Sequence, residues 1–289
     1  MSDEIDPIIV IKGNKEKEEF KPEKLEDSLR RSGASEEDID EVVEHIRSKL
    51  YQHITTFEIY SSAFDKLKEL KKNSARRYSL REAVRELGPT GYPFEDLVAE
   101  MLRTQGYTAR TRLMLRGRCI EHEIDVYAYN KKTNESFVVE AKFHNEHGIH
   151  SDLQTALSTK ARFDDIAGGD NRDFDGPLPQ GVWLITNTKF TDSALQYGKC
   201  AGIQMVGWNY PSGYALQHLI EAGGLHPVTA LSSLTKEQTQ KLLKNNIVLC
   251  RHLLKRQHDL GGLGFSSELI SRLVNEAQEV CADQKEKNE

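Results

Sequence analysis

Asp125, Glu140 and Lys142 are the residues whose types and spacing best suit chemistry in this chain. The runs 124–129 and 136–142 flank a polar turn, Asn130-Lys131-Lys132-Thr133-Asn134-Glu135. Antiparallel pairing about the middle of that turn sets Ile124 against Ala141, Val126 against Val139 and Ala128 against Phe137. These form one apolar face, and a one-residue slip would move it to the other side, so the register is specified. The same register sets Asp125 opposite Glu140. Opposed residues have Cβ atoms roughly 4.5–5.5 Å apart, and like charges there repel. Lys142, two residues beyond Glu140, lies on the same face of its strand. Two hard carboxylates partly open to water suit Mg²⁺ or Mn²⁺. Such a cation polarises a phosphoryl oxygen and acidifies bound water, and a lysine steadies charge developing on phosphate. A surface ion cluster bridged by Lys142 is the other reading of the same geometry.

Strands need a scaffold, and the surrounding pattern supplies one. Phe94, Leu97, Val98, Met101 and Leu102 mark one face of an amphipathic helix that Gly106 ends. A helix is expected over 153–163, buried-type strands over 182–186 and 203–208, and a helix over 193–200 between them. Strand, helix and strand in that order predict a crossover on a mixed sheet. Before this segment, 8–12 and Phe20 flank the turn signal Gly13-Asn14 and read as a hairpin. Pro22 opens a helix and Gly33 closes it. Ser35 caps a second helix, and Thr55 with Glu58 has capping-box spacing for a third. A fourth is expected over 75–87. Gly88-Pro89-Thr90-Gly91 then breaks the pattern. After residue 212 the chain reads as small helices carrying Leu231, Leu234, Leu242, Leu243, Ile247, Leu253 and Leu254.

The central residues resemble the PD-(D/E)xK nuclease superfamily, and more narrowly the Mrr-type restriction endonucleases. The resemblance rests on Phe94-Glu95-Asp96-Leu97-Val98, Gly106-Tyr107-Thr108-Ala109, Glu123-Ile124-Asp125-Val126, Val138-Val139-Glu140-Ala141-Lys142-Phe143 and Gly181-Val182-Trp183-Leu184-Ile185-Thr186-Asn187. It implies Asp125 and Glu140 as metal ligands, Lys142 as the catalytic lysine and Glu95 as an assisting acid. The family's Gly-Asp ahead of the catalytic Asp is replaced by Glu121-His122-Glu123. His144, His147 and His150 recur every three residues, without the cysteine or carboxylate frame of a structural zinc site.

The first segment resembles the ATP-cone, a regulatory nucleotide-binding domain. The carriers are Val10-Ile11-Lys12-Gly13-Asn14, Glu23-Lys24-Leu25, Ile54-Thr55-Thr56-Phe57-Glu58-Ile59-Tyr60 and Ala75-Arg76-Arg77-Tyr78-Ser79-Leu80. By position Val10, Lys12, Lys24, Leu25 and Thr56 would line a site for ATP or dATP. The lysines suit phosphate as point charges, and Thr56 lies near a helix N-terminus. The stretch 228–254 resembles a helix-hairpin-helix module, with Asn245-Asn246 in place of the hairpin glycine.

The expected fold class is therefore α/β: a mostly helical ATP-cone over 7–89, a mixed-sheet restriction-endonuclease-like domain over 91–212, and a small helical module over 213–289. The expected function is a Mg²⁺-dependent endodeoxyribonuclease whose cleavage responds to ATP or dATP. DNA is the expected partner, with RNA left open, and cutting two strands calls for at least a dimer. The alternative is a nucleotide sensor that grips nucleic acid without cutting it. The net charge of −6 leans toward that alternative, although Arg110, Arg112, Arg116 and Arg118 cluster just before Asp125. No apolar run approaches the roughly 18–20 residues of a membrane span. The acidic start and four scattered cysteines, Cys119, Cys200, Cys250 and Cys281, make a cytoplasmic protein with reduced thiols the expectation.

Overall fold

The structure is a computed structural model that describes residues 7–12, 15–71, 74–75, 78–171 and 174–282. The turn dipeptide Gly13-Asn14, Arg76-Arg77 and the last seven residues lie outside the described residues.

The N-terminal unit is the expected hairpin followed by helices. β1 (Ile9–Ile11) pairs antiparallel with β2 (Lys17–Glu19). α1 (Pro22–Arg31) begins on its proline, and Gly33 takes the left-handed conformation beyond its end at φ 79°. α2 (Glu36–Arg47) and α3 (Thr56–Leu70) each start with a full capping box, Ser35 with Asp38 and Thr55 with Glu58. Each box satisfies amide groups that the first helical turn leaves without partners. Their apolar stripes meet in one core with Val10, Leu25, Leu29, Ile39, Val42, Ile46, Ala63 and Leu67. The helix expected over 75–87 contains α4 (Leu80–Arg85). Its residues Leu80 and Val84, with Leu87, belong to the core of the next unit.

That second unit is a five-stranded mixed sheet in the order β3-β4-β5-β7-β9. β3 (Thr108–Arg116), β4 (Glu121–Asn130) and β5 (Glu135–Lys142) form an antiparallel meander. β7 (Gly181–Thr186) runs parallel to β5, and β9 (Gln204–Val206) parallel to β7. α5 (Tyr92–Thr104) covers one face, where Phe94, Val98, Val126, Ala128, Val139 and Ile185 meet. α6 (Leu153–Ala167) and α7 (Asp192–Cys200) cover the other, against Tyr127, Val138, Val182 and Leu184. A small parallel pair, β6 (His150–Ser151) with β8 (Lys189–Phe190), closes one end.

The β4–β5 register is the expected one, with Val126 opposite Val139 and Ala128 opposite Phe137. The expected single apolar face stops short of Ile124. That residue packs with Leu115, Tyr127 and Val138 on the opposite side from Val126. The β3–β4 ladder breaks between them: it pairs Thr111 with Val126 and Leu113 with Ile124, but skips Arg112 and Asp125. Arg112 is left-handed at φ 56°, an uncommon conformation for a side chain of its size. The kink falls at the proposed chemistry.

α8 (Leu216–Ala222) follows, and its Leu216 and Ile220 pack into the central core. α9 (Lys236–Lys244), α10 (Cys250–Lys255) and α11 (Ser267–Ala282) then gather Leu242, Ile247, Leu253 and Leu273 into a separate small core. Asn246 turns left-handed at φ 56° between α9 and α10, as an asparagine tolerates. α10 is held to α5 by Arg251 and His252, which both reach Glu100.

Candidate active site

The kinked β4 and the end of β5 bring Asp125 and Glu140 to one open cleft of about 400 Å³, lined also by Glu121, His122, Glu123 and Arg162. Asp125 is skipped by both neighbouring ladders, and its carboxylate replaces the missing backbone bond. It accepts a hydrogen bond from the Ala141 amide at 2.7 Å. Burial and then the charge of Glu140 push its pKa up to about 7, against which the Ala141 amide acts. Near neutral pH the carboxyl is thus only partly ionised, and a positive charge beside it would favour its ionised form.

Glu140 already has one positive neighbour that sequence reasoning missed. Arg162 of α6 donates to its carboxylate, Nη1 to Oε2, at 2.5 Å. A signal for it exists in the sequence. Thr159 and Ile166 are buried against the sheet, and Arg162 lies three residues after the first and four before the second. A charged residue on a burying stripe asks for a partner in the layer beneath.

Glu95 is no solvated flank of α5. It is only 8% exposed. Burial raises its pKa, opposed by Arg112, which donates to it at 3.2 Å and to Asp96 at 2.9 Å. The left-handed turn at Arg112 therefore belongs with a guanidinium tied to the first turn of α5, over the ring of Tyr92. The charge of Glu95 also raises the pKa of Asp125, so the two carboxyls share one neighbourhood.

Lys142 stands apart. It is exposed, and among the described residues it forms no ion pair with Asp125 or Glu140. The bridged ion cluster is therefore not what the structure holds. Lys142 pairs with Thr186 across to β7, and lowers the pKa of His144 by its charge, after burial. The three spaced histidines part company. His144 meets Ser151 Oγ at 3.2 Å, His147 meets Arg85 at 3.1 Å, and His150 lies in β6. Among the described residues no three His, Cys, Asp or Glu side chains converge as a metal site. Asp125 and Glu140, two hard oxygen donors lining one cleft, are the residues that would hold a divalent cation there.

The turn 117–120 between β3 and β4 precedes the cleft residues Glu121, His122 and Glu123 and is held from α6. Asp165 of α6 accepts from the amides of Cys119 and Ile120 at 2.9 and 3.3 Å, and meets His122 Nε2 at 2.8 Å. A Cβ at Gly117 would lie 2.0 Å from Asp165 Oδ2, so only glycine lets the carboxylate in. Arg116 at the end of β3 and Arg118 and Ile120 on this turn are exposed. Arg110 and Arg112, from the same sequence cluster, are instead engaged internally, Arg110 on the Asp175 carbonyl at 2.6 Å.

In the N-terminal unit Ile11 donates to the Ile54 carbonyl at 3.0 Å and forms a parallel bridge with Thr55. That sets Lys12 beside the start of α3, where Thr56 is the first helical residue. Lys12 and Lys24 share Glu18, at 2.9 and 3.0 Å. Val10 and Leu25 are core residues behind them, 2% and 7% exposed.

Comparison with known proteins identifies three families in order along the chain. The ATP cone domain family matches residues 8–87, the restriction endonuclease family matches 88–165, and the family described as AF1548-like, C-terminal, matches 226–281. An uncharacterised protein of Archaeoglobus fulgidus is 33% identical over 184 residues, covering 63% of this chain and 99% of that protein. The crystal structure of AF1548, a protein of unknown function, superposes with a TM-score of 0.56 at 32% identity, over 67% of this chain and all of that one. The chain belongs to the AF1548-like family, with an N-terminal ATP cone preceding a restriction-endonuclease-like domain and a helical C-terminal module.

Proposed function

We propose that this protein is a metal-dependent endonuclease that hydrolyses DNA phosphodiester bonds, and that ATP or dATP on the cone regulates it. The observation that carries the reading is the carboxylate pair. Asp125 and Glu140 meet at an open cleft in a domain of the restriction endonuclease family, and burial with the charge of Glu140 pushes the pKa of Asp125 up to about 7. Bound between them, Mg²⁺ or Mn²⁺ would neutralise the pair and polarise a phosphoryl oxygen.

The protein's own side chains divide the remaining work. Lys142, which is exposed, would meet a phosphate and steady the charge that develops on it. Glu95, fixed by Arg112, keeps a third carboxyl near Asp125. Arg116 beside the clamped turn and Arg118 on it are suited to hold the nucleic-acid backbone, which positions without reading sequence. On the cone, Lys12, Lys24 and Thr56 would meet the phosphates. Val10 and Leu25 form the apolar layer behind them. A nucleotide can regulate cleavage only if it binds two arrangements of the protein unequally. Cutting both strands would use two active sites, hence a dimer, which light scattering with and without nucleotide tests.

One observation favours a nucleotide sensor that binds nucleic acid without cutting it. Arg162 occupies Glu140, and Lys142 touches neither carboxylate. Thermal denaturation with Mn²⁺ separates the readings. The nuclease reading expects Mn²⁺ to raise the melting temperature, and Glu140→Ala to remove the rise. A melting temperature indifferent to Mg²⁺ and Mn²⁺ would favour the sensor.

A further inference from the structure

The cone and the nuclease-like domain meet along a seam rich in basic side chains, where Glu82 pairs with Arg85 and His147. His147, in the loop after β5, packs edge-on against Phe57 with ring centroids 5.8 Å apart. Phe57 follows Thr56 at the start of α3. Arg85 of α4 donates to His147 Nε2 at 3.1 Å. Arg81, also of α4, crosses to the ring of Trp208, its guanidinium carbon 5.7 Å from the centroid. The His147 loop leads into β6, and β6 pairs with β8 so that His150 lies opposite Lys189. These contacts bring Lys189, a residue of the nuclease-like domain, to the cone's edge.

Lys189 keeps solvent access, yet the packed seam partly desolvates it. The charges that act on it are Arg81, Lys12, Glu18 and Lys24. Three of the four are cations, and two of those are the cone lysines that flank Glu18. Arg81 adds a buried Nε that has no hydrogen-bond partner among the described residues. Lys12, Lys24, Arg81 and Lys189 thus gather near Glu18, with Glu16 also on Lys12 at 3.5 Å and Glu82 also acting on Arg81. Gathering like charges is costly unless an anion joins them, and a buried donor without a partner adds to that cost. A polyphosphate chain supplies both the charge and the acceptors.

We infer that Lys189 is a phosphate ligand of the nucleotide bound on the cone, so that the site is completed by the nuclease-like domain and takes a nucleoside triphosphate. This rests on the nucleotide-binding reading given above. The adenosine end would stay with the cone, and the outer phosphates would lie on the seam between Lys12 and Lys189. A triphosphate would then bridge the domains where a monophosphate would not. Through β8 it would also touch the element beside Thr188, Thr186, Ser151 and His144, a chain of hydroxyl and imidazole contacts of 2.9–3.2 Å ending two residues from Lys142.

The test is calorimetric titration of the full chain with ATP, ADP and AMP, in wild type, Lys189→Ala, Lys189→Arg, Lys12→Ala and the surface control Lys199→Ala. Loss of a charge-assisted hydrogen bond should weaken ATP binding by about tenfold in Lys189→Ala. AMP binding should be unchanged, and Lys189→Arg should restore ATP. Equal ATP affinity in Lys189→Ala and wild type, with Lys12→Ala impaired, would overturn the inference and leave the cone site standing. A matching loss for AMP and ATP would overturn it too, as a general structural effect. A wild type that binds none of the three would sink both this inference and the nucleotide reading beneath it.

Discussion

The Asp125 carboxylate accepts the Ala141 amide at 2.7 Å, which ties the side chain of β4 to the backbone of β5 one residue past Glu140. A side chain here does what the ladder otherwise does, because the ladder with β3 is broken at Arg112. The bond holds one carboxyl beside another and accepts the repulsion that follows. That repulsion, with burial, has consequences for pH, metal and stability.

Asp125 has a folded pKa raised from 3.8 to about 7. Its stabilising contribution is full below the ordinary carboxylate range and is lost as pH rises through about 7. Asp125→Asn removes that loss, so the variant should melt at a higher temperature than wild type at pH 8 without metal. The difference should shrink at pH 5, and Mn²⁺ should raise wild type alone. Differential scanning calorimetry across pH 5–8 checks this. A variant less stable than wild type at pH 8 would contradict the raised pKa.

Arg162 pairs with Glu140, one of the two carboxylates that would hold a cation, and would compete with it. Arg162→Gln should tighten Mn²⁺ binding, by about tenfold if the ion pair is worth the roughly 1–2 kcal/mol typical of a charged hydrogen bond net of solvent. Titration calorimetry reads it directly. Weaker Mn²⁺ binding in the variant would show that Arg162 organises the site instead of competing for it.

Gly117 gives a structural prediction. Its substitution by alanine drives a Cβ into Asp165, which holds the turn by two amides and His122. Gly117→Ala should cost about 1–3 kcal/mol, as overpacking does, and should weaken DNA binding through displaced Arg116 and Arg118. Urea denaturation and a filter-binding assay measure the two effects. Unchanged stability would mean that the turn is not clamped.

Glu100 links α5 to the C-terminal module. His252 first, then Arg103 and Arg251, hold its pKa well below the ordinary range against burial. A depressed carboxyl stabilises above its ordinary pKa and loses that contribution as pH falls through the carboxylate range. Glu100→Gln should therefore destabilise the protein at pH 7 and lose less than wild type on acidification to pH 3. Parallel melting curves for both proteins would refute this.

Much of the scaffold is local and was readable in order. The capping boxes at Ser35 and Thr55, the Pro22 helix start and the β4–β5 register each depend on residues a few positions apart or on one alternating face. What stayed hidden depends on chain distance. The Arg162–Glu140 pair spans 22 residues, and Arg112–Glu95 spans 17, across a kink that no local signal announces. Ile124 left its expected face because of that same kink. The packing of His147 on Phe57 needs both domains in place before it exists at all. In the alternative reading Lys142 would have bridged the carboxylates; Glu140 is paired instead with Arg162, from another layer.

Incubation of supercoiled plasmid with the purified protein and Mg²⁺ or Mn²⁺, with and without ATP or dATP, bears most directly on the central claim. Lys142 is exposed and carries no packing role, so Lys142→Ala should keep its stability within about 0.5 kcal/mol of wild type. It therefore serves as a folded control. The account predicts nicking or linearisation by wild type that requires the metal, changes with nucleotide and disappears in Lys142→Ala. Metal-dependent cleavage that survives unchanged in Lys142→Ala would contradict the assigned site. Absence of cleavage under every condition would contradict the nuclease and favour the sensor.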